Sequence, residues 1–421
     1  MTNKAKKVVA IVAGIICIIA SFTLGFFARY LTLDSDLRNA YILLEKYKQH
    51  YYFDDGDVVT DIENALLDKY STFYTKEEYD SVKRSAKGES EGVGIAVVSN
   101  TTTIAYVVGN SPCDNAGVKA GGSIVAILDG AEYKQITKFS DFTSVITKTQ
   151  LGGIVTFKVD YSGTVIEYSV PKQKYTTSYV IYQDSDSCYS YSDSNGSMER
   201  TLKQDFCTIT GESVAYIKYS AFSGTKSGLD GSNGQLTDAL NIFKEKNKSK
   251  LILDLRGNGG GYMSILCQVA SNFINVEDGK TALVAVAVDK NGNKENFVSK
   301  KSVYNSYGFE KIVVMCDEGT ASASEALIGA MLDYDVNNIV SVVVSSSTLN
   351  GQTVYKSYGK GIMQSTFVNP GGSAVKLTSA CIFWPVSNTT IHNKGITTNV
   401  SNKVVNAPKE TALETALSLM N

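Results

Sequence analysis

Two turns of small residues, each directly after an apolar run, are the strongest candidates for chemistry in this chain. KIVVMC (311–316) leads into DEGTASASE (317–325) and then into a helix-forming stretch. Such a strand-to-helix turn can expose a serine hydroxyl and aim helix N–H groups at an oxyanion. LRGNGGG (255–261) follows KLILD (250–254) in the same way. Each pattern alone is also typical of an ordinary helix cap or a structural glycine turn.

Histidine is scarce, which restricts the choice of a general base. The chain has two histidines, His50 in a helix-like segment and His392 in a polar segment near the C-terminus. A Ser/His/Asp triad needs a histidine held against its serine by an acid, and neither position favours that role. If a serine is the nucleophile, lysine is the expected base. The sequence has no CxxC or Cys/His zinc pattern and no GxGxxG or Walker nucleotide motif.

Composition excludes nucleic acid as an expected partner. The chain of 421 residues carries 40 Lys and Arg against 42 Asp and Glu, a net charge of −2, so no basic excess can neutralise phosphates.

An uncharged run, residues 8–28, follows Lys4, Lys6 and Lys7 and would span about 30 Å as a helix. We therefore expect a single-pass membrane anchor within 1–30 and an extracytoplasmic remainder. A cleaved signal peptide is the alternative.

The seven cysteines do not reveal a pairing. Cys188 and Cys207 flank a polar loop and could form a disulfide outside the cytoplasm. Cys267, Cys316 and Cys381 lie in apolar stretches, so we expect them to be buried thiols.

Hydrophobic periodicity divides the remainder into four regions. Residues 31–86 are predicted to be helical, and 87–172 to form a β-rich domain, because short β-branched runs alternate there with glycines. The polar segment 173–205 is expected to be a connecting ribbon. Helix and strand patterns then alternate through 206–421, which predicts an α/β core. The expected fold class is therefore α/β and multi-domain.

Seven motifs, in this order along the chain, resemble a known family. They are DKYSTFYTKEEYD (68–80), EGVGIAVV (91–98), SPCDNAGVKAGGSIVAILDG (111–130), LILDLRGNGGG (251–261), GTASASE (319–325), YGKGIMQ (358–364) and NTTIHNKGI (388–396). Together they resemble the S41 carboxyl-terminal processing peptidases. In that family a PDZ domain precedes a catalytic core that uses a Ser/Lys pair. The resemblance implies that 87–172 is the PDZ domain and 206–421 the S41 peptidase core.

The resemblance also implies the catalytic roles. Ser322 would be the nucleophile, with Ser324 supporting it, and Lys360 the general base. Gln364 would orient the lysine amine, because four residues along an extended strand return a side chain to the same face. A lysine acts as a base only when neutral, and burial among apolar residues favours the neutral form.

Substrate and oxyanion contacts are expected from backbone groups. The N–H groups of Ala323 and Gly260 would form the oxyanion hole. In the PDZ-like region, backbone N–H groups would grip the free carboxylate of a peptide that adds as a strand. The residues of this expected loop are Gly92, Val93, Gly94 and Ile95.

The implied function is a serine endopeptidase that processes or degrades extracytoplasmic proteins from or near their C-termini through an acyl-enzyme. It needs no metal and no cofactor, and the oligomeric state stays open. The alternative is a catalytically inactive PDZ adaptor or holdase on the same fold.

Four features depart from the family pattern. LRGNGGG replaces the commoner LRNNPGG. Gly122 stands in place of an aspartate, and Thr398-Asn399 in place of Pro-Asp. The interval of 38 residues from Ser322 to Lys360 is long, with a polar insertion at 345–357. This insertion puts the register of Lys360 in question.

Overall fold

The architecture comes from a computed structural model, which divides the chain into two compact units, Met1–Phe73 and Tyr74–Asn421. The structure describes residues 21, 34–50, 62, 65–87, 89–97, 101–184, 187–194, 197–203, 214–224, 228–349 and 351–420. The first unit contains helix α1 (Ser35–His50). The predicted anchor, 8–28, falls outside the described residues except for Ser21. Among the described residues, none of the helices has the length and apolar character needed to cross a membrane.

The second unit contains the remaining helices. They are α2 (Lys76–Ala86), α3 (Pro112–Asn115), α4 (Phe139–Lys148), α5 (Ser232–Glu245), α6 (Met263–Ala270), α7 (Ala323–Asp333) and α8 (Ala412–Ser418), with 3₁₀ turns at Gly228–Asp230 and Tyr304–Tyr307. Helix α2 begins at a capping box, in which Glu78 accepts the Thr75 N–H at 2.8 Å and donates its own N–H to the Thr75 hydroxyl.

A β-rich domain with its own core occupies the start of the second unit. Strand β1 (Thr72–Tyr74) crosses the boundary between the units. The next strands are β2 (Glu89–Gly92), β3 (Ile95–Val97), β4 (Ile104–Val107), β5 (Ser123–Asp129), β6 (Glu132–Gln135), β7 (Ile154–Tyr161), β8 (Thr164–Pro171) and β9 (Gln173–Thr176). An antiparallel sheet runs β6-β5-β7-β8. Helix α4 covers it through Phe142, which meets Phe157 edge to face at 5.2 Å between ring centroids.

The α/β core contains the remaining strands. They are β10 (Val180–Asp184), β11 (Ser187–Ser194), β12 (Ser197–Leu202), β13 (Val214–Tyr219), β14 (Lys250–Asp254), β15 (Leu283–Asp289), β16 (Lys294–Val298), β17 (Lys311–Cys316), β18 (Val340–Ser345), β19 (Ser347–Leu349), β20 (Gln352–Val354), β21 (Ile362–Val368), β22 (Ala374–Phe383) and β23 (Val404–Ala407). The main sheet has the order β12-β11-β10-β13-β14-β17-β18-β23. Strands β21, β22, β15 and β16 pair in a second, antiparallel sheet.

The central strands of the main sheet are parallel and apolar on both faces. Strands β13, β14, β17, β18 and β23 pair in parallel, and both faces are covered. One face packs on α5, α6 and α7, and the other on α8. Burial on both faces explains why β14 and β17 read as continuous apolar runs. Their carboxyl ends carry the two small-residue turns, so the sheet brings those turns to one edge.

The segment expected to be a connecting ribbon, 173–205, contributes more structure than its polar composition indicates. It contains β9 to β12, and β10, β11 and β12 extend the main sheet in antiparallel fashion. Tyrosines replace aliphatic residues in its core. Tyr191 is buried, and its hydroxyl donates to Asp238 Oδ2 at 2.8 Å, so the polar end of the ring is satisfied.

The expectations for the cysteines have mixed outcomes. Cys316 is buried and Cys267 half-buried, but Cys381 is exposed on β22, so the expectation that it is buried is wrong. Neighbouring side chains alternate between the two faces of a strand, and Cys381 points away from the core that buries Ile382. Cys207 lies outside the described residues, so its pairing with Cys188 stays a prediction.

Candidate active site

Ser322 joins β17 to α7 in a backbone conformation that few non-glycine residues adopt. Its φ of 59° and ψ of −116° persist only where the surroundings fix the chain. Two contacts fix the preceding turn. Thr320 Oγ1 donates to the Leu255 carbonyl at 2.9 Å, and the Ala321 N–H donates to the Asn258 carbonyl at 3.0 Å. Ser322 is therefore held at the start of α7 by contacts with the glycine turn.

The glycine turn after β14 lies directly against the serine turn. Gly260 has a φ of 96°, and a Cβ there would lie 2.9 Å from Ser322 Cβ and 2.6 Å from the Ala321 oxygen. Only glycine permits this approach. Ser324, the expected support residue, is buried and donates its hydroxyl to the Asn258 carbonyl at 3.0 Å. Both serines of the motif thus lie against this turn.

The two expected oxyanion donors differ in their present bonding. Ala323 is the first residue of α7, where backbone N–H groups have no partner within the helix. The Gly260 N–H instead donates to Asn258 Oδ1 at 2.9 Å, and the Asn258 amide donates to the Tyr219 carbonyl at 2.9 Å. The Gly260 N–H is thus bonded within its own turn, and its oxyanion role stays a prediction.

Lys360 and Ser322 line the same pocket, although they are 38 residues apart in sequence. Lys360 lies in the loop before β21 and is half-buried. The other residues around the pocket are Met263, Ala326, Gly361, Ile362, Ile382, Trp384 and Ile391. The serine and the lysine therefore share an otherwise apolar environment.

The buried carboxylate of Glu325 connects the serine segment to the lysine segment. Its Oε2 accepts the Ser322 N–H and the Lys360 N–H, both at 2.9 Å. Its Oε1 accepts the Gly359 N–H at 2.8 Å and the Ser357 hydroxyl. One side chain on the first turn of α7 therefore sets the separation of the two segments.

The same burial changes the acidity of Glu325. Removal from water raises the pKa of this carboxyl above its usual value, while the hydrogen bonds from Ser357 and from the three backbone N–H groups act in the opposite direction. Sequence reasoning did not single out Glu325. The Ser-x-x-Glu spacing at 322–325, a helix capping pattern, is the signal that could have found it.

The expected carboxylate-binding loop, Gly92–Ile95, lines a cavity of about 430 Å³, here named the β-domain groove. Its other walls come from α4, from β4, from the end of α2 and from residues 220–223 beside the α/β core. Gly94 has a φ of 86°, and a Cβ there would lie 2.0 Å from Ser111 Cβ. The loop therefore needs glycine at this position to keep its shape.

Comparison with known proteins relates the α/β core to a peptidase family. Residues 213–401 match the model of Peptidase family S41. The chain is also 25% identical over 407 residues to the carboxyl-terminal-processing protease of Synechocystis sp. (strain ATCC 27184 / PCC 6803 / Kazusa), which covers 93% of this chain and 83% of that protein. Residues 213–401 therefore match peptidase family S41. This match and the carboxyl-terminal processing relatives support a serine-type peptidase.

This S41 peptidase spans only part of a second relative. It is 25% identical over 347 residues to the carboxy-terminal processing protease CtpB of Bacillus subtilis (strain 168), over 81% of this chain and 61% of that protein. The structure called photosystem II D1 C-terminal processing protease matches with a TM-score of 0.55 at 19% identity, over 90% of each chain. This match supports the α/β fold of the S41 peptidase.

Gln364 of the S41 peptidase does not occupy the strand position expected for it. Strand β21 begins at Ile362, so Lys360 precedes it, and the pairing with β22 shifts register between Met363 and Gln364. The expectation of an unbroken strand from Lys360 to Gln364 is wrong, because β21 begins only at Ile362, and the register shift leaves an extra residue, Ser379, on the facing strand β22. Gln364 Nε2 is buried without a hydrogen-bond partner in the described part of the chain. Its role toward Lys360 stays a prediction.

The insertion at 345–357 forms a separate hairpin. Strands β19 and β20 pair with each other in a two-stranded sheet, and the chain returns to the core at Tyr355. From Ser357 onward, contacts with Glu325 fix the position of the lysine segment. The hairpin thus takes up the extra length before Lys360.

His392 lies closer to the lysine segment than its sequence position indicates. A Cβ on Gly361 would lie 2.7 Å from the His392 backbone nitrogen, so the two segments are in contact. His392 Nδ1 is buried and has no partner among the described residues. The His50 side chain is outside the described residues. Within the described ranges, no group of three or more His, Cys, Asp and Glu side chains could hold a metal ion.

Proposed function

We propose that this S41 peptidase cleaves peptide bonds with Ser322 as nucleophile and Lys360 as general base. One observation carries the proposal. Both residues line the same pocket, and the carboxylate of Glu325 holds both of their backbone N–H groups. This arrangement supports the unit that covalent catalysis needs, a nucleophile with a base in a fixed relation to it.

In the proposed reaction, the neutral Lys360 amine takes the Ser322 proton as the serine oxygen attacks the scissile carbonyl. The ammonium then gives its proton to the departing amine, and the acyl-enzyme remains. Water attacks the ester and loses a proton to Lys360, which passes that proton to the Ser322 oxygen as the ester bond breaks, and the shortened product leaves. The Ala323 N–H stabilises the oxyanion, and the Gly260 N–H joins it after leaving Asn258 Oδ1.

Substrates are proposed to be proteins read by their C-terminal tails. The β-domain groove has a loop of successive backbone N–H groups at Gly92–Ile95 and an apolar wall from α4, the combination that suits a strand-like tail ending in a free carboxylate. This supports a PDZ domain at 87–172. Two of the relatives are described as carboxyl-terminal processing proteases. Together with the groove, they support cleavage of substrate proteins near their C-termini.

The place of action is proposed from the sequence alone. The apolar run at 8–28 after three lysines favours a membrane anchor with the peptidase outside the cytoplasm. Proteinase added to intact cells should therefore remove an epitope fused at the C-terminus, while an epitope at the N-terminus survives. Survival of both epitopes would contradict this location.

A cleavage assay tests the proposed activity. The full-length chain in detergent is incubated with a small unfolded protein that ends in an apolar tail, beside Ser322→Ala and Lys360→Ala. Wild type should shorten the substrate, and each variant should lose at least about 1000-fold in rate while keeping its melting temperature. Near wild-type turnover by either variant would contradict the assigned pair. No cleavage by wild type, with tight tail binding, would favour the inactive adaptor.

A further inference from the structure

Among the residues that the structure describes, one cation lines the β-domain groove. Arg84, in the last turn of α2, borders the cavity together with the loop Gly92–Ile95. The other charged residue on its walls, Glu91, lies 3.7 Å from the Lys172 amine, so its charge already has a partner. In the part of the chain that the structure describes, Arg84 forms no ion pair. Asp80, one turn earlier on α2, lies within electrostatic reach of Arg84 but pairs with Lys83. The groove therefore offers a positive charge that no carboxylate of the described residues holds in an ion pair.

The chain around Arg84 fixes the backbone of this residue beside the loop, while its side chain is exposed. The Lys87 N–H donates to the Arg84 carbonyl at 3.0 Å and closes α2. Strand β2 (Glu89–Gly92) follows almost at once and pairs with β9, so few residues separate the helix end from the loop. Arg84 thus comes from the segment before the β-rich domain and still reaches its groove.

The remaining walls define the chemistry of an occupant. Phe139, Phe142 and Ile146 of α4 form an apolar side of the groove. Backbone N–H groups of the loop are neutral donors, and a guanidinium adds charge-assisted hydrogen bonds to a carboxylate. An apolar last side chain with a free α-carboxylate matches both sides of the groove.

We propose that Arg84 is a specificity residue that pairs with the α-carboxylate of the substrate tail. This rests on the tail reading proposed above and adds a charged contact from outside the β-rich domain. Lys83 is a natural control, because it carries the same charge one residue earlier, pairs with Asp80 at 2.6 Å and does not line the groove.

Binding to an inactive enzyme tests this role. Full-length Ser322→Ala in detergent is titrated with a fluorescent octapeptide ending in Phe, as the free acid and as the amide. The same titration is repeated with Arg84→Gln, Arg84→Lys or Lys83→Gln added. Arg84→Gln should weaken binding of the acid by roughly tenfold and leave the amide unchanged. Arg84→Lys should recover part of the loss, and Lys83→Gln should change neither affinity.

The outcomes separate this inference from the proposed function. If the Ser322→Ala enzyme binds acid and amide equally, the groove does not read the carboxylate and both proposals fail. If it prefers the acid and Arg84→Gln keeps that preference, only the role of Arg84 is overturned. Equal weakening of acid and amide by Arg84→Gln would also overturn it, since that result indicates a change in groove shape rather than a lost charge.

Discussion

The Oε2 atom of Glu325 accepts the backbone N–H of Lys360 at 2.9 Å, and the same atom accepts the Ser322 N–H. The proposed nucleophile and the proposed base come from different elements of the fold, and this carboxylate accepts a backbone N–H from each. Glu325 is a positioning residue, because it acts on the main chain of the pair rather than on the substrate.

Glu325→Gln should lower kcat about 100-fold with little change in KM, because an amide offers one acceptor oxygen where the carboxylate offers two. The measurement is steady-state kinetics on a quenched peptide. Glu414→Gln is the matched control, since Glu414 lies in the first turn of α8 but is exposed. An unchanged kcat in Glu325→Gln would show that the carboxylate does not position the pair.

Activity should have an acid limb set by Glu325. Burial raises the pKa of this carboxyl above 4.5. As the pH falls through the raised value, the carboxyl gains a proton and loses acceptor capacity, so kcat should fall at a higher pH than an ordinary glutamate would give. A pH profile of kcat checks this, with Glu325→Gln expected to lack the limb. A limb that persists in that variant belongs to another group.

A second rise in activity, at higher pH than the Glu325 limb, should reflect Lys360. The amine accepts the serine proton only when it is neutral, so activity should rise toward alkaline pH. Lys360→Arg should be inactive across the range, because a guanidinium stays protonated. EDTA should have no effect on the wild type. Loss of activity on chelation with recovery on adding zinc would refute the Ser/Lys mechanism.

Two neighbouring glycines should respond differently to alanine. Gly260→Ala should cost about 1–3 kcal/mol of stability and abolish activity, since its Cβ would lie 2.9 Å from Ser322 Cβ at a φ of 96°. Gly259→Ala should be tolerated, because a Cβ there meets no atom within 4 Å. Thermal melting and peptide cleavage on both variants check this. Equal behaviour of the two variants would rule out the close approach of the turns.

Sequence reasoning located the two small-residue turns because their signals are local. A buried strand followed by small residues identifies the Ser322 turn and the glycine turn, and parallel pairing then brings both to one sheet edge. The α/β core followed from the alternation of helix and strand patterns. The family resemblance added Lys360, which no local pattern distinguishes from a surface lysine.

What the sequence missed depends on tertiary contacts. The register shift at Met363 and Gln364 is invisible to a rule of alternating faces. Asn258 Oδ1 accepts the Gly260 N–H because the glycine turn folds back on itself. Strand β11 has few aliphatic residues, so its sequence predicts a polar segment. Its Tyr191 is nevertheless buried, because the tyrosine hydroxyl donates a hydrogen bond to Asp238.

Mass spectrometry of a trapped acyl-enzyme tests the central claim most directly. The full-length chain is mixed with an activated ester of an apolar-tailed peptide, quenched in acid within seconds and digested. The account predicts one acyl group on Ser322 in wild type, none in Ser322→Ala, and at least about 100-fold slower labelling in Lys360→Ala. An acyl group on another residue, or labelling of Lys360→Ala at the wild-type rate, would contradict it.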